Sequence, residues 1–200
     1  MSTTITTGEA RLSYVHLTQP HASMPGQAPK YSVAVLIPKS DVQTKALIDA
    51  AVQEATQNGI AGKWGGSAPA MVKTTLHDGD GVKDNGEAYG DECKGHWVLN
   101  CNASESHKPS VVDLQLQPII DASEIYSGMY GRVNVNFYPF NFNGRKAIGC
   151  GLNHVQKTRD GEALGGGSVS VESAFGAPVA PTAPAQGVGV TINPITGQPM

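Results

Sequence analysis

Residues 130–156 read YGRVNVNFYPFNF, then Asn143-Gly144, then RKAIGCGLNHVQ. Asn-Gly tolerates positive φ at both positions, which a tight two-residue hairpin turn requires. The flanking runs are rich in Val, Phe, Tyr and Asn and alternate in polarity, so they read as strands over 130–142 and 145–156. A two-residue turn sets Phe142 opposite Arg145, and the register follows. Val133 and Val135 then share a face with Ile148, Cys150 and Leu152, an apolar set that must point to a core. The other face carries Arg132, Asn134, Asn136 and Tyr138, opposite Val155, Asn153, Gly151 and Gly149, with Phe140 opposite Ala147. Small neighbours leave a ring uncovered. Pro139 cannot donate to a ladder and predicts an edge position or a bulge near the tip.

The charge pattern around this hairpin points to function. Residues 126–159 hold Tyr126, Tyr130, Phe137, Tyr138, Phe140 and Phe142, half of all the aromatics in the chain. They also hold Arg132, Arg145, Lys146, Lys157 and Arg159 and no Asp or Glu, in a chain of net charge −3. Cations neutralise phosphates and rings stack on unpaired bases, so this combination fits a grip on single-stranded nucleic acid. The expected contacts are Arg132, Arg145, Lys146, Lys157 and Arg159 to phosphates, and Tyr130, Tyr138, Phe140 and Phe142 to bases, with Asn134 alongside. The competing reading is an ordinary hairpin whose second face is covered by another sheet or a partner chain. Residues 78–92 reverse the sign, with six acids against Lys83.

Outward from the hairpin, residues 10–15 predict a strand with Ala10, Leu12 and Tyr14 on one face. Residues 18–29, with Pro20, Pro25, Gly26 and Pro29, read as a loop. Tyr31, Val33, Val35 and Ile37 sit at period two and predict a second strand ending at Pro38. Ser40 with Gln43 suggests a capping box opening a helix. Leu47, Ile48, Ala51, Val52 and Ala55 form its stripe and Asn58-Gly59 its end. Residues 59–67 read as a mobile Gly-rich loop around Trp64. Short strands are expected over 70–76, 97–103 and 110–116, with a polar loop over 78–95 between them. Beyond Gly161 the composition turns to Gly, Ala, Pro and Val. The body is therefore residues 1–166, and residues 167–200 form a tail expected to be disordered.

Other chemistry finds little support. The apolar fraction of 40% allows a real core, and no run of about 18 apolar residues is present to span a membrane. The Thr-rich start has no basic or apolar signal region, so the chain reads as intracellular. Three cysteines without C-x-x-C spacing fit reduced thiols better than a disulfide framework. Cys93, His96, Cys101 and His107 match no standard zinc knuckle. Asp78-Gly79-Asp80 with Asp84 suggests a calcium loop, but Val82 stands where an oxygen ligand belongs. A magnesium nuclease built on these acids lacks a supporting Lys or His. No catalytic motif is present, and neither an enzyme nor a cofactor is expected.

The chain also resembles a family of tailed-phage and prophage single-stranded DNA-binding proteins. The residues that carry the likeness run through the body. They include Arg11-Leu12-Ser13-Tyr14, Lys30-Tyr31-Ser32-Val33, Ile37-Pro38-Lys39-Ser40-Asp41, Asp78-Gly79-Asp80 and Lys108-Pro109-Ser110-Val111-Val112-Asp113. The densest block is Tyr126-Ser127-Gly128-Met129-Tyr130-Gly131-Arg132, followed by Asn136-Phe137-Tyr138, Asn143-Gly144, Gly149-Cys150-Gly151-Leu152-Asn153 and Arg159-Asp160-Gly161-Glu162. The likeness spans residues 8 to 166.

It implies a mainly β fold, an OB-fold-like five-stranded β-barrel with helix and loop insertions. It further implies a protein that coats single-stranded DNA with little sequence preference during replication or recombination in the bacterial host cytoplasm, with replication or recombination proteins as possible partners. The alternative is a virion component whose hairpin face binds protein. Proteins of this functional class commonly end in an acidic tail that competes with DNA, whereas residues 176–200 carry no charge. The acidic 78–92 segment is a substitute competitor by expectation. Five phosphate contacts would give a salt slope of about −3.5.

Overall fold

The computed structural model describes residues 2–83 and 85–164. The expected tail over 167–200 and the acid Asp84 lie outside the described residues. The described chain is mainly β with one long helix. In order, it forms β1 (Thr4–Thr6), β2 (Ala10–His21), β3 (Lys30–Pro38), α1 (Val42–Ala61), β4 (Leu76–Asp78), β5 (His96–Ser104), β6 (Ser110–Val112), β7 (Tyr130–Phe142) and β8 (Arg145–Arg159). Single 3-10 turns occupy Asp91–Cys93 and Ala122–Glu124.

The pairings return on themselves. β2 pairs β3, β3 pairs β5, β5 meets β8 in parallel at Asn102 and Gly151, β8 pairs β7, and β7 pairs β2. β1 continues the outer edge of β7, β4 lies beside β5 and β6 beside β8. The alternation read from sequence explains the interior. Val33, Val35 and Ile37 of β3 meet Leu99 and Cys101 of β5, Val133, Val135 and Phe137 of β7, and Ile148, Cys150 and Leu152 of β8 in one buried cluster. Ala34 and Leu36, on the other face of β3, are covered by Val98 and Cys93. The 78–95 segment therefore lies over part of the sheet rather than standing free.

The hairpin matches its expected register from Phe142–Arg145 through Val135–Leu152. Asn143 and Gly144 have φ of 50° and 79°, as the turn requires. The expected bulge at Pro139 does not form, and Pro139 sits opposite Ile148. The reason is direction. The Phe137 amide donates to the Thr3 carbonyl, away from β8. Pro139, two residues on, faces the same way, past the end of β1, where no ladder bond is lost. The register instead shifts where Asn134 pairs His154 and Val135 pairs Leu152, leaving Asn153 as the extra residue, and again beyond Gly131. β8 consequently runs to Arg159.

Three further expectations are corrected. β2 extends to His21, because His21 still pairs Lys30, so the loop is confined to residues 22–29. Tyr14 does not share the buried face of Ala10 and Leu12. A bulge between Ser13 and His16 turns it outward, and Val15 and Leu17 take the inward positions. The helix opens at Asp41, whose carboxylate accepts from the Thr44 amide, and not at a Ser40–Gln43 box. Its buried line is Thr44, Ile48, Ala51, Ala55 and Gly59, while Leu47 is exposed.

Gly59 is not the stop. It lies within the last turns as a seat, since a Cβ there would come within 2.8 Å of the Trp64 ring and 2.9 Å of Pro139. Trp64 is only 2% exposed, and its indole Nε1 donates to the Phe140 carbonyl at 3.0 Å. The 59–67 segment is thus anchored to the hairpin. Of the expected 70–76 strand only Leu76 falls in β4, which runs on to Asp78, and Lys73 bridges Ala147. Likewise β6 stops at Val112.

Candidate nucleic-acid interface

The outward face of the β7–β8 hairpin is built as the alternation requires. Tyr138 lies over Gly149, where an added Cβ would sit 2.7 Å from the ring's Cζ. Asn136 covers Gly151 in the same way. With one face of its ring on the Gly149 backbone, Tyr138 is still 37% exposed. Phe140 follows at 6.5 Å between centroids and a 51° tilt. Phe142, at 67% exposure, stands at the tip beside exposed Arg145. Arg132 is exposed too, with only its Nε directed to the Thr7 carbonyl at 3.4 Å. These groups form an exposed aromatic surface with a cation at each end.

The remaining expected contacts are engaged inside the protein. The Asn134 amide donates to the Ile5 carbonyl and the Thr6 hydroxyl, and its oxygen accepts from Asn153. It fastens β1 to the hairpin. Lys146 Nζ donates to the Trp64 carbonyl at 2.7 Å and to the Ser67 carbonyl at 3.0 Å, tethering the 59–67 segment. Lys157 is nearly enclosed, 2.8 Å from Asp160 and 3.7 Å from Glu124. Arg159 pairs with Glu9 at 3.0 Å and lies 3.4 Å above the Tyr130 ring, with Arg11 at 6.0 Å from that ring.

Tyr130, Lys157 and Arg159 thus belong to a clasp. Tyr126 donates from its hydroxyl to Asp160, the Gly161 amide donates back to it, and Leu164 bonds the Ser127 carbonyl. Hydrogen bonds from Lys157 and Tyr126 hold the Asp160 carboxyl below its usual range. Those from Thr158 and Arg159 do the same for Glu9. Basic residues interleaved with rings therefore serve two purposes here, a free face at the tip and a closure at the base.

The acidic segment is also occupied. Lys39 Nζ lies 2.6 Å from Asp78 and 2.7 Å from Asp80, and Asp80 accepts from the Gly95 amide. Bonds from Lys39 lower both carboxyls. The thiols do not gather with the histidines. Cys101 and Cys150 face each other in the core at 3.3 Å, whereas Cys93 packs on the other side of the sheet. Burial pushes the Cys101 thiol well up. No group of three or more potential metal ligands occurs among the described residues.

Sequence reasoning missed a groove of about 550 Å³ on the outer face of β2, β3 and β5. Tyr14, His16, His21, Lys30, Asn100 and Asn102 line it. It adjoins the hairpin face through one cross-strand row, in which His16 pairs Ser32, Ser32 pairs Asn102, Asn102 pairs Gly151 and Gly151 pairs Asn136. A signal was available in the period-two spacing of Tyr14 and His16, but the bulge that turns them outward carries no Gly or Asn to mark it.

The family model described as Enterobacter phage Enc34, ssDNA-binding protein, matches residues 3–184. The chain is 31% identical over 173 residues to Putative protein p50 of Acyrthosiphon pisum secondary endosymbiont phage 1, covering 81% of this chain and 87% of that one. The single-stranded DNA-binding protein from bacteriophage Enc34, solved in complex with ssDNA, superposes with a TM-score of 0.68 at 29% identity, over 81% of this chain and 89% of that chain. The bacteriophage T7 single-stranded DNA-binding protein gp2.5 shares the fold, with a TM-score of 0.57 at 15% identity over 84% of this chain and 92% of that one. A family model that matches nearly the whole chain shows that it belongs to the family of the Enc34 phage single-stranded DNA-binding protein.

Proposed function

We propose that this protein binds single-stranded DNA without strong sequence preference, as a non-enzymatic phage coat for strands exposed in replication or recombination. The observation that carries the reading is the family match over residues 3–184. The physical support is the free hairpin face. Tyr138, Phe140 and Phe142 offer ring faces, and Arg132 and Arg145 flank them. We read the closed circuit of β2, β3, β5, β8 and β7 as an OB-type barrel, a fold that binds strands across an exposed sheet face. No helix among the described residues is long and apolar enough to cross a membrane. The host cytoplasm, where phage strands are exposed, is the proposed location. The virion alternative has no support in the matched family or the solved structures.

Anisotropy of a labelled oligo-dT, titrated with wild-type protein and with Tyr138→Ala, Phe142→Ala and Arg132→Gln, tests this. Each lost stack should weaken binding by about 1–3 kcal/mol, while urea midpoints stay near wild type. Wild-type protein that ignores the oligonucleotide at low salt would refute it.

A further inference from the structure

Two thiols of the core have no part in DNA binding. Cys101 on β5 and Cys150 on β8 both belong to the interior cluster, and their sulfurs stand 3.3 Å apart. Each directly precedes a member of the Asn102–Gly151 pair, so the two lie in register on neighbouring parallel strands. Adjacent strands run about 4.8 Å apart. That spacing falls inside the Cα separation of roughly 4.4–6.8 Å that a disulfide accepts. Both thiols are free, and so is Cys93, which packs on the other side of the sheet.

The two cysteines sit at the thinnest joint of the closed circuit. β2 with β3, β3 with β5 and β7 with β8 share long registers, and β2 with β7 shares two pairs. β5 and β8 meet at Asn102 and Gly151 alone among the described residues. Toward the hairpin tip they part, and residues 73–75 fill the gap. There the Ile148 amide donates to the Lys73 carbonyl at 2.9 Å, and the Asn100 amide to the Thr75 carbonyl at 3.0 Å. A joint with so few ladder bonds opens more readily than its neighbours. Burial holds the Cys101 thiol well above its ordinary value, so in the closed joint it stays protonated and unreactive. Opening admits solvent from the outer groove, whose floor includes Cys101.

We propose that Cys101 and Cys150 form a site of reversible oxidation, where hydrogen peroxide converts the two thiols into a disulfide that staples β5 to β8. As the joint opens, Cys101 loses its proton and its thiolate attacks one peroxide oxygen. The O–O bond breaks, leaving a sulfenic acid on Cys101 and a hydroxide that takes up the released proton as water. The Cys150 sulfur then displaces the sulfenic hydroxyl, which leaves with the Cys150 proton as a second water. The two thiols together give up two electrons and two protons, and the peroxide is reduced to two waters. A dithiol reverses the bridge by exchange. The staple closes a loop of about 50 residues and so restricts the unfolded chain. The inference goes beyond the DNA-binding reading and does not depend on it.

Full-length protein treated with hydrogen peroxide at neutral pH, then unfolded, alkylated and digested, tests this by peptide mapping. The expected product is a peptide pair joined through Cys101 and Cys150, absent before treatment and lost on adding dithiothreitol. The bridged protein should need roughly 1–2 M more urea to unfold. Cys93→Ser should bridge equally well. Cys150→Ala should stop at the sulfenic acid on Cys101, which dimedone traps. The wild-type map carries the test even where Cys150→Ala fails to fold. Recovery of Cys101 and Cys150 unbridged after peroxide, a bridge from either to Cys93, or a bridged protein no harder to unfold would overturn the proposal.

Discussion

Gly149→Ala probes the stacking surface without touching a ring. The added Cβ would stand 2.7 Å from Tyr138 Cζ and 2.9 Å from its Cε2 and Oη. Ordinary contact begins near 3.4 Å. The ring must therefore lift off the strand by about 1 Å, as interiors packed this closely leave no slack. The displaced atoms are the far end of a side chain, so the fold should lose less than about 1 kcal/mol. Replacing a strand glycine recovers part of that, up to about 0.5–1 kcal/mol. DNA affinity has more at stake. Its ceiling is the loss on Tyr138→Ala, about 1–3 kcal/mol, and a tilted ring should forfeit about a third to a half of it.

Anisotropy with labelled oligo-dT gives the affinity and urea melts give the stability. The double variant Tyr138→Ala/Gly149→Ala completes a cycle, in which Gly149→Ala should cost almost nothing once the ring is gone. An equal cost with and without the ring would show that the glycine acts through backbone, and the stacking argument would fail.

Trp64→Ala should destabilise the fold by about 3–5 kcal/mol, read by urea denaturation, because it empties a buried indole site and frees the Phe140 carbonyl. A mobile loop would tolerate the change. With Lys146, Lys157 and Arg159 engaged internally, only Arg132 and Arg145 of the expected hairpin cations remain for phosphates. The salt slope should then be about −1.4 and not −3.5. Acid should weaken the fold. Glu9, Asp78, Asp80 and Asp160 titrate below their ordinary values. The unfolded chain therefore binds protons first, and the stability these groups contribute is present above the ordinary carboxylate range and lost as pH falls through their lowered values. Urea midpoints measured from pH 6 to pH 3 should fall accordingly, and Asp160→Asn should lessen the slope.

The hairpin was legible because its signals are local. Asn143-Gly144 names its own turn, and period-two alternation sorts Val133 and Val135 from Tyr138. The helix was legible for the same reason, through Ile48, Ala51 and Ala55. What the sequence concealed lies in pairs far apart along it. Nothing near Lys146 announces the Trp64 and Ser67 carbonyls, and nothing near Arg159 announces Glu9. Asn134 looks like a base-reading amide until β1 arrives beside it. The acids of the 78–92 segment look free until Lys39 is placed between Asp78 and Asp80. Tyr14 is the reverse case. Alternation alone puts it inside, and a single bulge puts it in solvent.

The most direct test of the central claim is titration of labelled poly-dT at two salt concentrations, with a duplex of equal length as control. The account predicts tight binding to the single strand, weakened at the higher salt, and little binding to the duplex, whose bases cannot reach Tyr138. Equal affinity for both forms, or none for the single strand at low salt, would contradict it.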